Sequence, residues 1–477
     1  MKYYHNLSDK KNMNLLSIGK ALSFFFLFFS IFIFYLWAAS SKYGQAFVFK
    51  LSPEAQGYHH FMADAFLHGQ LNLRTEPPKE LLALSDPYDP ALNEKFRLHD
   101  ASLYNGKYFL YFTPAIALLF IAPFKIIFGY FLSESLLTAL LCFLGFFFSF
   151  LALRKLLKFG SVEVSAPTLL TSALTLATAT AVPFLLRRPA VYELCIAAAY
   201  AFIMIGTYLL LCAVEAKRNR SVILYNVFAG TLLGLCILSR PTQLFGCGLL
   251  VLAFPAARHL LHREKTRLLT IHTTYLIAPL IIIGSAMCWY NYARFNSIFE
   301  FGLFYQLAGI YMHHTELVSI KYIFFGVFNY LFQPTHYEFR FPFIHAAPIQ
   351  LLETHIPYTI EPVIGLAQLP IYWLVLMPLF CIRYLWKSSP LLLSLSVFIL
   401  ASGVSTLISV SSMAYITMRY IVDFSPMILL ATISLFLMCR NLVFKSTPSG
   451  LIVSRLMFYT PALFSIIASL LLGMTGY

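Results

Sequence analysis

Apolar residues in this chain come in long runs instead of the alternation of a soluble fold. Most runs reach the roughly 20 residues that an α-helix needs to cross a bilayer. The pattern predicts an all-α polytopic membrane protein with eleven transmembrane helices, near Ala21–Ser40, Ser135–Leu153, Pro167–Leu186, Val191–Val214, Val222–Ser239, Thr242–Ala257, Leu269–Tyr290, Gly365–Ile382, Leu391–Val410, Ile421–Cys439 and Phe458–Gly473. The first run follows Lys2, Lys10, Lys11 and Lys20 and is longer than the apolar core of a signal peptide, so it reads as an uncleaved helix. A further run, Tyr108–Tyr130, is broken by Pro114, Pro123 and Lys125. If it crossed the bilayer, Arg154, Lys155 and Lys158 would be carried outside, against the positive-inside rule. It is therefore expected as an interfacial helix on the outer side.

Basic clusters at Lys217–Arg220, Arg258–Arg267, Arg383–Lys387 and Arg440–Arg455 then all fall inside, with the N-terminus inside and the C-terminus outside. Residues 1–477 form a single membrane domain without an internal repeat. Two long outer segments interrupt it, 41–134 and 291–361, each expected to carry interfacial helices. Neither is low-complexity, and outer loops of this length are commonly functional. Most of the acidic residues lie outside, which points to chemistry on that face.

Composition agrees with the pattern. Of 477 residues, 59% are apolar and 11% charged, whereas soluble domains carry about 25% charge. The net charge of +14 therefore sets membrane orientation and does not point to nucleic acid. All eight cysteines lie in apolar runs and form no CxxC, so they read as small core residues.

Candidate chemistry begins in the first outer segment with SPEAQGYHHFMADAFLHGQLNL, Ser52 to Leu73. Tyr58, Met62, Ala65 and Phe66 recur at helical spacing and predict an apolar face lying on the bilayer. Glu54 stands just ahead of that helix at the water boundary, where partial desolvation would favour a general base. Asp64, within the helix, is the competing carboxylate. Further on, LSDPYDPALNEKFRLHDASLYNGKYF, Leu84 to Phe109, mixes turn residues with carboxylates, amides and tyrosines. Such a mixture suits a sugar cradle as well as an ordered surface loop, and Asp89 and Asp100 are the residues selected within it.

A carboxylate shortly after the first helix, a helix with Tyr58 and Ala63, and the string YFTPAIALLFIAPFKIIFG (Tyr111 to Gly129) together resemble the first periplasmic loop of the GT-C glycosyltransferases, the group that includes the aminoarabinose and protein mannose transferases. The resemblance covers about the first 215 residues in layout and motif. It implies a sugar donor carried on a polyprenyl phosphate, with Glu54 in the place of the family's acceptor-activating Asp and Tyr58 in the place of its helix Tyr. Glu54 departs from the family's Asp, which leaves Asp64 in contention.

Arginines supply the rest of the expected site. Arg187 and Arg188 sit on a short outer turn, where the orientation rule favours none, and a guanidinium can grip phosphate in a bidentate fork. Arg240 and Arg294 lie at the same level. Glu193 is expected beside Arg188, and Arg419 and Asp423, four apart, are expected to meet on one helix face. Outer histidines lack the HxxxH spacing of a zinc site, so no metal or other cofactor is expected. The resulting expectation is a multi-pass protein of a bacterial inner membrane that moves a sugar from a polyprenyl-phosphate donor to a glycan, lipid or protein acceptor outside, by a single inverting displacement. The rival readings are a transporter or flippase of lipid-linked sugars, and a non-catalytic membrane subunit.

Overall fold

In the computed structural model, residues 2–40, 47–347, 359–444 and 448–475 are described. Positions 41–46 of the first outer segment and 348–358 of the second lie outside the described residues. Helices dominate, and the chain is an integral, multi-pass membrane protein. Among the described residues, nine helices are long and apolar enough to cross a bilayer. They include α1 (Lys2–Ser40), α4 (Glu134–Phe159), α6 (Val191–Glu215), α7 (Asn219–Ser239), α8 (Leu244–His262), α9 (Thr266–Phe295), α11 (Pro390–Ser411), α12 (Ile421–Cys439) and α13 (Pro448–Thr475).

Two of the eleven expected spans take another form. Over Pro167–Leu186 the helix α5 runs only Ala166–Thr178; Ala181 then adopts φ +58°, and Pro183 opens a separate turn, Val182–Leu185. A left-handed residue cannot continue a right-handed helix, so one continuous helix is broken at Ala181, and Pro183 is accommodated in the first turn of the piece that follows. Over Gly365–Ile382 the backbone winds as a 3₁₀ helix, Pro370–Cys381, followed by an α-turn segment Ile382–Ser388. A 3₁₀ helix rises about 2.0 Å per residue against about 1.5 Å, so these two pieces together extend roughly 34 Å, enough to cross a hydrocarbon core.

The core is built around α12, all of whose residues are buried, packed by α4, α6, α11 and the 3₁₀ segment. A helix this apolar can occupy the place because its few polar side chains find partners inside the protein: Asp423 accepts from Arg240, and Ser425, Thr432 and Ser434 donate to the carbonyls of Thr180, Ile428 and Ala431. Close packing relies on small residues: an added Cβ on Gly145 of α4 would meet the Tyr200 ring of α6 at 2.5 Å. Without a hydrophobic drive between helices in lipid, such close fits supply much of the association.

Outside the bundle, the first segment folds as α2 (Tyr58–Leu67), a hairpin of β1 (Ser102–Tyr104) and β2 (Lys107–Phe109), and α3 (Pro114–Phe128). The α2 face differs from the one expected to lie on lipid. Its buried residues are His59, His60, Met62, Ala63 and Ala65, so the helix is wedged into the protein. Helix α3 exposes Leu118, Leu119, Ile126, Ile127 and Phe128 and buries Ile116, Ala117 and Ile121. At 15 residues it is shorter than a span. The second segment contributes α10 (Ile323–Phe332) and a hairpin of β3 (Thr335–Tyr337) and β4 (Ile344–Ala346). The two segments are stitched together: Leu103 N–H donates to Tyr305 O, Leu307 N–H to Ala101 O, and Asp100 N–H to Leu307 O.

Candidate active site

A cavity of about 1470 Å³ lies where this stitched layer meets the ends of α6, α7, α8 and α11. Its polar wall carries Asp100, Tyr111, Arg188, Tyr192, Arg240 and Arg419. Its apolar wall follows α8 through Leu244, Phe245, Gly248, Leu249 and Leu252, faced by Ile408 of α11 and by Ile320 and Ile323. Leu244, Phe245, Leu252, Ile320 and Ile408 are also exposed on the outer surface of the protein, so this wall is continuous with the surface that would meet lipid.

Each polar group is held by a different element. Asp100 precedes β1 in the left-handed region, φ +61°. Its Oδ2 accepts from Tyr192 Oη at 2.8 Å and its Oδ1 from Gln306 Nε2 at 2.7 Å. Tyr192, in the first turn of α6, in turn accepts from Tyr111 Oη. Tyr58 on α2 donates to the carbonyl of His99, fixing the residue next to Asp100. Helix α2 is itself pinned by Glu134, the first residue of α4, whose carboxylate accepts from His59 N–H at 3.2 Å and lies against Gly57, where a Cβ would meet it at 2.5 Å. Burial pushes the His59 imidazole down to about 4, since a charged ring would be stranded away from water.

The arginines are paired differently from the sequence expectation. Asp423 is buried and accepts from Arg240 Nε at 3.0 Å and from Arg240 Nη2, while Arg240 also lies over the Tyr420 ring. Arg419 instead donates to both oxygens of Glu361 at 2.9 Å and faces Glu193 at 3.7 Å. Arg419 and Asp423 therefore do not meet, although they are four apart. Arg419 falls in the 3₁₀ turn Met418–Tyr420, before α12 begins, so the α-helical i,i+4 geometry does not apply between them. Glu193 lies within electrostatic reach of Arg188, as expected, and also faces Arg419.

Other sequence candidates lie away from the cavity. Glu54 is exposed, and its N–H donates to Ser52 Oγ. Asp64 forms a surface ion pair with Arg74 at 3.1 Å. Asp89 caps the turn Pro90–Asn93 by accepting from Ala91 N–H. Arg294 is buried between Tyr290 and Phe295, donates to Leu110 O and Asn291 Oδ1, and so ties α9 to the first segment. Arg187 stands over the Trp37 ring at 6.0 Å and is not on the cavity wall. The structure thus gathers Asp100, Arg188, Arg240 and Arg419 at one cavity, backed by Glu193 and Asp423.

Sequence reasoning missed Tyr111, Tyr192, Gln306 and Glu361. Tyr192 stands within the outer turn that drew attention to Arg188, and a phenol there was a readable signal. Gln306 and Glu361 carried none, because their role arises from the meeting of two distant loops.

No family model and no curated protein matches the chain. Among solved structures, the chain is similar to the oligosaccharyltransferase of Archaeoglobus fulgidus in its apo form, with a TM-score of 0.42 and 12% identity over 94% of this chain and 56% of that one. It is also similar to the archaeal oligosaccharyltransferase AglB from Archaeoglobus fulgidus in complex with an inhibitory peptide and a dolichol-phosphate, with a TM-score of 0.41 and 12% identity over 93% of this chain and 56% of that one. A third is ArnT from Cupriavidus metallidurans bound to undecaprenyl phosphate, at 0.38 and 12% over 94% of this chain and 74% of that one. The chain spans just over half the length of the archaeal proteins it matches.

Proposed function

We propose that this chain transfers a sugar from a polyprenyl-phosphate donor to an acceptor on the outer face of a bacterial inner membrane. The observation that carries the reading is the amphiphilic cavity: three arginines at one end and a lipid-exposed apolar wall at the other. From Leu244 to Leu252 that wall follows α8 for about 12 Å at the helical rise, a lane suited to an isoprenoid tail. Guanidinium groups at its head match a phosphate diester, whose charge grows as the sugar leaves. Arg188, Arg240 and Arg419 are the residues proposed for the phosphate, and Tyr192 and Asp100 for the sugar. The reaction would be a single inverting displacement, in which the acceptor oxygen bonds to the anomeric carbon as the bond to phosphate breaks.

Comparison of lipid-linked sugars in cells with and without the protein tests this. A transferase leaves sugar-charged polyprenyl phosphate accumulating on the outer leaflet when it is removed. Accumulation on the inner leaflet would instead assign a flippase, and unchanged lipid-linked sugars would overturn both.

A further inference from the structure

We propose that Asp100 is the catalytic carboxylate of this cavity and that Tyr58 and Gln306 are its positioning residues; the assignment rests on the transfer reading above. Among the described residues, Asp100 is the one carboxylate on the cavity wall. The acids behind that wall are committed to guanidinium groups: Asp423 to Arg240, and Glu361 and Glu193 to Arg419. Their oxygens are turned to those guanidinium groups and are not part of the cavity wall, so they are not placed to meet an acceptor hydroxyl. Glu54 and Asp64 stand outside the cavity, and Asp64 is paired with Arg74.

The surroundings of Asp100 fit a base. Each oxygen accepts one hydrogen bond from a neutral donor, Tyr192 on Oδ2 and Gln306 on Oδ1, with His99 Nε2 at 3.8 Å from Oδ1. Those bonds orient the carboxylate, and since a carboxylate has about four lone-pair sites, acceptor capacity remains on each oxygen. The backbone is held as firmly: Asp100 N–H donates to Leu307 O, and Tyr58 locks the preceding carbonyl. Glycine would adopt φ +61° without strain, whereas an aspartate there stores conformational energy while holding a carboxylate in one place.

Position completes the argument. The Tyr192 ring lies under the Arg419 guanidinium, 5.2 Å from its centroid, and its hydroxyl reaches Asp100. The proton acceptor and a phosphate-binding cation therefore flank one phenol, the arrangement an in-line displacement needs on either side of a sugar ring. Asp100 takes the proton of the acceptor hydroxyl as the acceptor oxygen bonds to the anomeric carbon. The electron pair of the breaking C–O bond leaves on the phosphate, giving polyprenyl phosphate, and the proton on Asp100 passes to that product or to water.

The test uses the full chain in lipid nanodiscs, with undecaprenyl phosphate as the binding probe, and membranes of cells lacking the protein as the source of accumulated lipid-linked sugar. Asp100→Asn preserves the left-handed backbone, which asparagine tolerates. It is expected to lower clearance of lipid-linked sugar by about 10²–10⁴-fold while undecaprenyl phosphate binds as in the wild type. Tyr58→Phe should lower kcat with little change in KM, and Asp100→Glu should recover part of the lost rate. Wild-type clearance by Asp100→Asn, or loss of probe binding in step with clearance, would overturn the assignment. Loss of clearance in Glu54→Gln with full activity in Asp100→Asn would move the base to Glu54. If the wild type neither binds the probe nor clears lipid-linked sugar, the transfer reading itself fails and takes this assignment with it.

Discussion

Removing one half of the Arg240–Asp423 pair separates a structural clip from a phosphate site. Asp423 has no exposed side-chain surface and Arg240 only 11%. Breaking a buried pair from one side leaves an uncompensated charge, which costs about 3–5 kcal/mol. Asp423→Leu and Arg240→Met should each lose that amount. The double variant replaces the pair by apolar groups and should return close to wild-type stability, giving a coupling energy of about 3 kcal/mol or more. Phosphate binding should behave differently. If Arg240 contacts the donor, the double variant loses a charge-assisted contact of about 1.5–3 kcal/mol, or roughly ten- to a hundredfold in affinity. Denaturant unfolding in detergent, with titration of undecaprenyl phosphate on the same four proteins, reads both quantities. Wild-type affinity in the double variant would show that Arg240 is a clip alone and leave the phosphate to Arg188 and Arg419. Unchanged stability in Asp423→Leu would refute the energetic account of the pair.

Arg188→Lys keeps the charge but loses the planar fork, so donor affinity or rate should fall about ten- to a hundredfold, with insertion unchanged; full activity would mean that the residue only reaches lipid headgroups. Gly248 has open space where a side chain would project, and Gly248→Phe should fill the apolar lane and raise the KM for a long-chain donor more than for a short-chain one. A kinetic comparison of the two donors checks this. His59 is held at about 4 against an ordinary value of about 6.5. The unfolded chain therefore takes up a proton that the folded protein refuses, and stability is full above about pH 6.5 and falls by up to about 3 kcal/mol on descent to about pH 4. Melting temperatures at pH 7.5 and 4.5 should show this decline, and His59→Gln should remove most of it.

Hydropathy along the chain located all nine long helices, because crossing a bilayer is a one-dimensional requirement on apolar length, although several run past the expected ends, α13 starting at Pro448 and not Phe458. It placed Pro167–Leu186 and Gly365–Ile382 as ordinary helices because hydropathy cannot distinguish an α-helix from a 3₁₀ segment or from a helix broken at Ala181 and Pro183. The face of α2 was misjudged for a related reason: His59 and His60 read as polar, yet a buried imidazole whose nitrogen meets a backbone carbonyl, as His60 does with Leu132 O, can sit inside the protein.

The sequence by itself determined the long membrane helices, the arginines near helix ends and the carboxylates of the first long loop, since each is carried by residue type and local spacing. Only the tertiary structure decided which of these groups work together. The meeting of Asp100 with Gln306 at the cavity depends on the backbone bonds that stitch residues 100–103 to 305–307. The partners of Arg240 and Arg419 depend on how α7, α12 and the chain around Glu361 approach one another. These contacts join residues 58 to 206 positions apart, and at such separations the pairing of charges is set by packing.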